Sequence, residues 1–93
     1  MNSKNTRRWP RYHVYLPVTI AVDPKTPSIV VPGLICELSR TGMEIYGGIN
    51  RRPGEEMEIE FETARGGIIR IAGIVRSRTG YCFGIEFSGV RAR

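Results

Sequence analysis

Glu56-Met57-Glu58-Ile59-Glu60-Phe61-Glu62-Thr63 is the stretch that decides the fold, because Met57, Ile59 and Phe61 take every second position and four glutamates take the positions around them. In an extended chain successive side chains point to opposite sides, so this spacing gives one strand an apolar face and a charged face. The acids read as a solvated face. Downstream, a Gly66-Gly67 turn leads into Ile69, Ile71, Gly73 and Val75 alternating with Arg70, Ala72, Ile74 and Arg76. After a turn around Thr79-Gly80, Tyr81, Phe83, Ile85 and Phe87 alternate with Cys82, Gly84 and Glu86.

Upstream, Val14, Leu16, Val18, Ile20 and Val22 share one face, against His13, Tyr15, Pro17, Thr19 and Ala21. Pro17 marks an edge or a bulge, since it cannot donate to a strand ladder. Asp23 to Ser28, with Pro24 and Pro27, reads as a loop, and Ile29 to Leu38 as extended chain interrupted at Pro32-Gly33. Met43 to Tyr46 is a short strand ended by Gly47-Gly48. No helical period occurs. The pattern predicts an all-β fold, a six-stranded antiparallel barrel whose closure removes exposed strand edges.

The 93 residues suffice for one domain, which buries roughly 60–65% of the surface its unfolded chain exposes. A hydrophobic share of 41% is too high, and too regularly patterned, for intrinsic disorder. No apolar run approaches the ~20 residues of a membrane-spanning helix, and no apolar leader follows Met1, so a cytoplasmic location is expected. Cys36 and Cys82 are expected to be buried free thiols, because a disulfide scaffold of this size usually carries more cysteines. The net charge of +5 is unevenly laid out: Arg7, Arg8 and Arg11 crowd the start, while five of the nine acids lie between Glu55 and Glu62. A local arginine cluster beside an acidic face points to a defined anionic ligand more than to a long nucleic acid.

Catalysis finds little support. His13 is the lone imidazole, with no Ser or Cys partner placed by spacing, and one His with two scattered Cys makes no metal-ligand pattern. The GxGxxG and GxxxxGK(S/T) phosphate loops are absent from the sequence. The expectation is a protein that is not an enzyme and needs no cofactor.

Two groupings go beyond strand formation. The first is Arg7-Arg8-Trp9-Pro10-Arg11, where Pro10 stiffens the backbone just before the first strand. An arginine fork donates to phosphate oxygens or to the O6/N7 edge of guanine, although viewed alone the segment also fits a solubilising basic tail. The second is Glu37-Leu38-Ser39-Arg40-Thr41-Gly42, a strand breaking into a polar turn in which Gly42 is available for a left-handed conformation. A carboxylate there can accept from guanine N1–H and N2–H, and Ser39 can serve base or phosphate. Taken alone it is also an ordinary turn.

In combination, an RxxxR element before the first strand and an acidic-x-Ser-x-x-Gly turn after the second resemble the PilZ family, whose pattern is RxxxR with Asp or Asn leading x-Ser-x-x-Gly. Arg11-Tyr12-His13-Val14-Tyr15-Leu16-Pro17-Val18 resembles the family's first strand. Gly73-Ile74-Val75-Arg76 with Phe83-Gly84-Ile85-Glu86-Phe87 resembles its last hairpin, so the likeness spans about Arg7 to Phe87. The resemblance implies a cyclic di-GMP receptor in which residues 1–11 form a flexible ligand-binding segment, residues 12–93 form the PilZ-like β-barrel, and ligand binding changes the conformation seen by an effector protein in motility, biofilm or envelope processes.

By the same resemblance, Arg7 and Arg11 fall on the family arginines, Ser39 and Gly42 on its Ser and Gly, and Arg8 adds a phosphate contact. Trp9 is either a stacking platform or a lid on the barrel, and from approximate barrel position alone Arg76 or Arg78 is expected to flank the site. Two departures stand out. Glu37 occupies the Asp/Asn position, moving the carboxylate outward by about 1.5 Å, which is expected to weaken guanine recognition. The chain also ends at Arg93, leaving little or no room for the helix that commonly follows the family barrel. The alternative is a PilZ-like interaction module with weak or no cyclic di-GMP binding because of Glu37. A third reading, general single-strand nucleic-acid binding, rests on a pI of 9.8 and predicts steep salt dependence.

Overall fold

The computed structural model describes residues 10–92, and over that span the alternating segments become six antiparallel strands. They are β1 (Arg11–Asp23), β2 (Thr26–Ser39), β3 (Gly42–Gly47), β4 (Glu56–Glu62), β5 (Ile68–Thr79) and β6 (Cys82–Ala92). Laterally they run β1-β2-β3-β6-β5-β4 and close into a barrel, so β3 lies beside β6 and β1 meets β4. The closing seam is short, pairing Thr19 with Glu60 and Ile20 with Ile59. No helix occurs among the described residues.

The apolar positions of the alternation fill the barrel. Ile20, Ile45, Met57, Ile59, Val75 and Phe83 are wholly enclosed, and Val14, Leu16, Phe61, Ile69 and Phe87 pack around them half-buried. Full burial of one such side chain stabilises by about 1.5–3 kcal/mol, which makes this cluster the main source of stability in a small domain. Ile49, in the connection after β3, also enters the core although no strand pattern marks it.

The stretch from Asp23 to Ser28 is a tight turn at Pro24-Lys25 rather than a loop: the Lys25 amide donates to Asp23 Oδ1 at 3.0 Å, and β2 already begins at Thr26. Pro32-Gly33 does not interrupt β2. Pro32 pairs with Thr19 on one side, while on the other side β3 pairs with β2 only from Gly33 onward, so Pro32 has an unpaired strand edge there. A register shift between Ala21 and Asp23 ends the alternation of β1, turning Ala21 into the core and leaving Val22 exposed. Pro17 fits the edge reading, since only Thr19 and Ile20 of β1 pair with β4.

The glutamate face of β4 is not uniformly solvated. Glu56 and Glu62 are exposed, but Glu58 and Glu60 are half-buried over Arg70, whose Nη2 donates to Glu60 Oε1 at 3.1 Å. Cross-strand pairing explains the cover: Glu60 faces Arg70, so an outward arginine stem lies over the acids. Tyr81 belongs to the β5–β6 turn and is exposed, and β6 begins at Cys82. Cys36 and Cys82 are free but only half-buried, outside the core cluster.

Candidate functional site

The site begins with strand register. β1 pairs with β2 so that Arg11 stands opposite Ser39 and His13 opposite Glu37, which brings the start of the first strand against the end of the second. Arg11 Nη1 lies 2.9 Å from Glu37 Oε1, and His13 Nδ1 lies 4.0 Å from Glu37 Oε2. The Glu37 side chain is only 16% exposed, so its carboxylate is held between the sheet and the guanidinium.

Ser39 builds the adjoining turn. Its Oγ accepts from the Thr41 and Gly42 amides, each at 3.3 Å, and donates to the Gly42 carbonyl at 3.3 Å. A serine hydroxyl used in this way substitutes for backbone partners that the turn lacks. Gly42 does not take the left-handed conformation expected of it; the glycines with positive φ are Gly54, Gly66 and Gly80. Its requirement is close approach. A Cβ on Gly42 would stand 2.1 Å from the Ile85 carbonyl oxygen, because Gly42 pairs directly with Glu86 in the β3–β6 ladder. The Phe87 amide also donates to the Thr41 carbonyl at 2.9 Å, clamping the turn onto β6.

That ladder supplies the other side of a groove of about 320 Å³, with Arg11 and Glu37 on one rim and Arg76 and Glu86 on the opposite one. Between the rims lie the turn, Ser77, Gly84 and the backbones of Met43 and Ile85, whose side chains point into the core. Gly84 keeps this floor low, since a Cβ there would meet Ser77 Oγ at 2.5 Å. The volume falls at the small end of the range for ligand pockets. Guanidinium donors on both rims, with carboxylate acceptors beside them, suit a ligand bearing both anionic groups and polar N–H edges.

The structure therefore brings together Arg11, Glu37, Ser39 and Gly42. Arg7, Arg8 and Trp9 lie outside the described residues. Of the two later arginines, Arg76 lines the groove and Arg78 does not. Arg78 instead lies over the Phe83 and Tyr81 rings and donates to Asn50 Oδ1 at 2.6 Å, tying down the β3–β4 connection. No sequence motif marks Glu44, Ser77, Gly84 and Glu86 as site residues; the β3–β6 and β5–β6 pairings gather them. Among the described residues no group of three or more His, Cys, Asp or Glu could hold a metal ion, and no helix is long and apolar enough to cross a membrane.

Beside the groove, Cys82 stands opposite Tyr46 in the β3–β6 ladder. Burial, and then the negative charge of Glu44, push the Cys82 thiol above its ordinary pKa, and burial raises Cys36 likewise. These thiols are protonated at neutral pH and are poor nucleophiles.

Compared with known families, the chain matches the model of the PilZ domain over residues 5–93. Neither the curated proteins nor the solved structures contain a match.

Proposed function

The chain belongs to the PilZ domain family, and from that premise we propose that it is a cytoplasmic, non-catalytic cyclic di-GMP receptor whose ligand lies in the groove between Arg11 and Arg76. The observation that carries the reading is the convergence of two distant segments, with Arg11 on Glu37 at 2.9 Å directly over the Ser39–Gly42 turn. Arg11 supplies a planar, permanently charged fork for phosphate or for the guanine O6/N7 edge. Glu37 offers an acceptor for guanine N1–H and N2–H, and the turn offers polar groups at the mouth of the groove. Arg7 and Arg8 join from the N-terminal segment, and an effector protein reads the liganded surface.

A second reading has a specific observation behind it. Arg11 Nη1 is already engaged by Glu37, whose side chain is mostly shielded from water, so a ligand phosphate at Arg11 competes with a neighbouring carboxylate. That favours a weakly binding interaction module over a tight receptor. Calorimetric titration with cyclic di-GMP separates the two. The receptor reading expects saturable heat at low-micromolar dinucleotide and a Kd at least about tenfold higher for Arg11→Ala, the loss of a charge-assisted contact. Absence of heat well above micromolar ligand leaves the interaction module as the surviving reading.

A further inference from the structure

The β5–β6 hairpin carries two arginines two positions apart, and their surroundings differ sharply. Arg78 is saturated: Nη1 donates to Asn50 Oδ1 at 2.6 Å and to the Arg51 carbonyl at 3.0 Å, and Nε donates to the Gly80 carbonyl at 2.7 Å. Arg76 lines the groove, and its Nε is 2.6 Å from Glu86 Oε1, with the two side chains 60% and 55% exposed. An ion pair this open to water contributes little to stability. The hairpin is held together in any case by its backbone ladder, in which Ile74 pairs with Glu86 and Val75 with Ile85.

The charges of the groove make the position of Arg76 matter. Among the described lining residues Arg11 and Arg76 face three carboxylates, those of Glu37, Glu44 and Glu86. With Arg76 removed, the balance among these residues would shift from two cations against three acids to one against three, so a dianionic ligand would be held less well. The floor between the two guanidiniums is low because Gly42 and Gly84 carry no side chain. A ligand lying across that floor would have a guanidinium to either side, since β1 and β5 flank β2, β3 and β6 in the strand order.

We propose that Arg76 is the second arginine jaw of the groove, contacting the ligand's far phosphate or guanine edge, and that Glu86 is the carboxylate it gives up when ligand binds. This rests on the reading of the groove as a dinucleotide site. Ligand binding exchanges the exposed Arg76–Glu86 pair for a charge-assisted contact made away from bulk water, which is the favourable direction of exchange.

The test is calorimetric titration of cyclic di-GMP into the full chain and into Arg76→Ala, Arg76→Lys, Glu86→Gln and Arg78→Ala, with thermal unfolding of each. Arg76→Ala is expected to raise Kd about tenfold or more with an unchanged Tm, and Arg76→Lys to raise it by less, since the charge survives and the fork is lost. Glu86→Gln should bind at least as tightly as the unmodified chain. Arg78→Ala should lower Tm while leaving Kd in place. Binding by the unmodified chain together with equal binding by Arg76→Ala overturns the proposal and leaves the dinucleotide reading standing. Loss of affinity in Arg76→Ala that merely tracks a lowered Tm overturns it as well. No binding by the unmodified chain removes the dinucleotide reading itself, and the jaw with it.

Discussion

Gly42 and Ser39 carry different burdens within the same turn. Any side chain at Gly42 has to push β6 away, because the obstacle is the Ile85 carbonyl at 2.1 Å, a backbone atom that cannot rotate aside. Gly42→Ala is therefore expected to destabilise by about 1–3 kcal/mol, the usual cost of overpacking, seen as a lower urea midpoint. Ser39→Ala keeps the backbone but leaves the Thr41 and Gly42 amides without their shared acceptor. Because Thr41 is exposed and Gly42 half-buried, water replaces part of the loss, and a cost of about 1 kcal/mol is expected in the same measurement. Both residues support the site through the shape of the turn, whatever contacts they also make with ligand. Their presence in the sequence motif thus has a folding reason beside a binding one.

Among the elements, β3 links the strand order to the site. It is six residues long, yet it pairs with β2 on one side and β6 on the other, and so joins the motif turn to the hairpin that carries Arg76. Ile45, wholly buried at its centre, faces Ile35 and Phe83 across the two ladders. Ile45→Ala is expected to cost about 2–5 kcal/mol, a large-to-small change in a core that cannot collapse around it. Hydrogen exchange should then show the β3–β6 amides losing protection before those of β4–β5, because the weakened packing lies on one seam. Equal loss in both ladders would mean that the barrel opens as one unit.

The whole molecule is longer than a closed barrel of its size requires, with extents of 46 × 31 × 20 Å. The β1–β2 hairpin extends past the β2–β3 ladder, since β2 runs from Thr26 but meets β3 only at Gly33. Global stability carries a pH signature from the half-buried thiols. Desolvation raises Cys36 and Cys82 in the folded state, so the folded chain holds these protons longer than the unfolded one. Their contribution is complete below the unfolded thiol pKa of about 8.5 and is lost as pH rises through the folded values. Tm is expected to be flat near neutrality and to fall above about pH 8.5, with Cys82→Ser reducing the slope; an unchanged slope in that variant would assign the fall to other groups.

Period-two spacing determined the strands, most of the core and the glycine turns, because alternation is a local property that each segment carries in itself. The same local reading misplaced Val22 and the cover over Glu58 and Glu60, where a register shift and a cross-strand arginine intervene. Arg11, Glu37, Ser39 and Gly42 were legible as candidates from order and spacing. The close approach that requires glycine at position 42 was not, and neither was the choice of Arg76 over Arg78. Both depend on β3 lying beside β6, a pairing between residues some forty positions apart. Barrel closure selects that pairing from contacts made by all six strands together, so tertiary structure alone decides it.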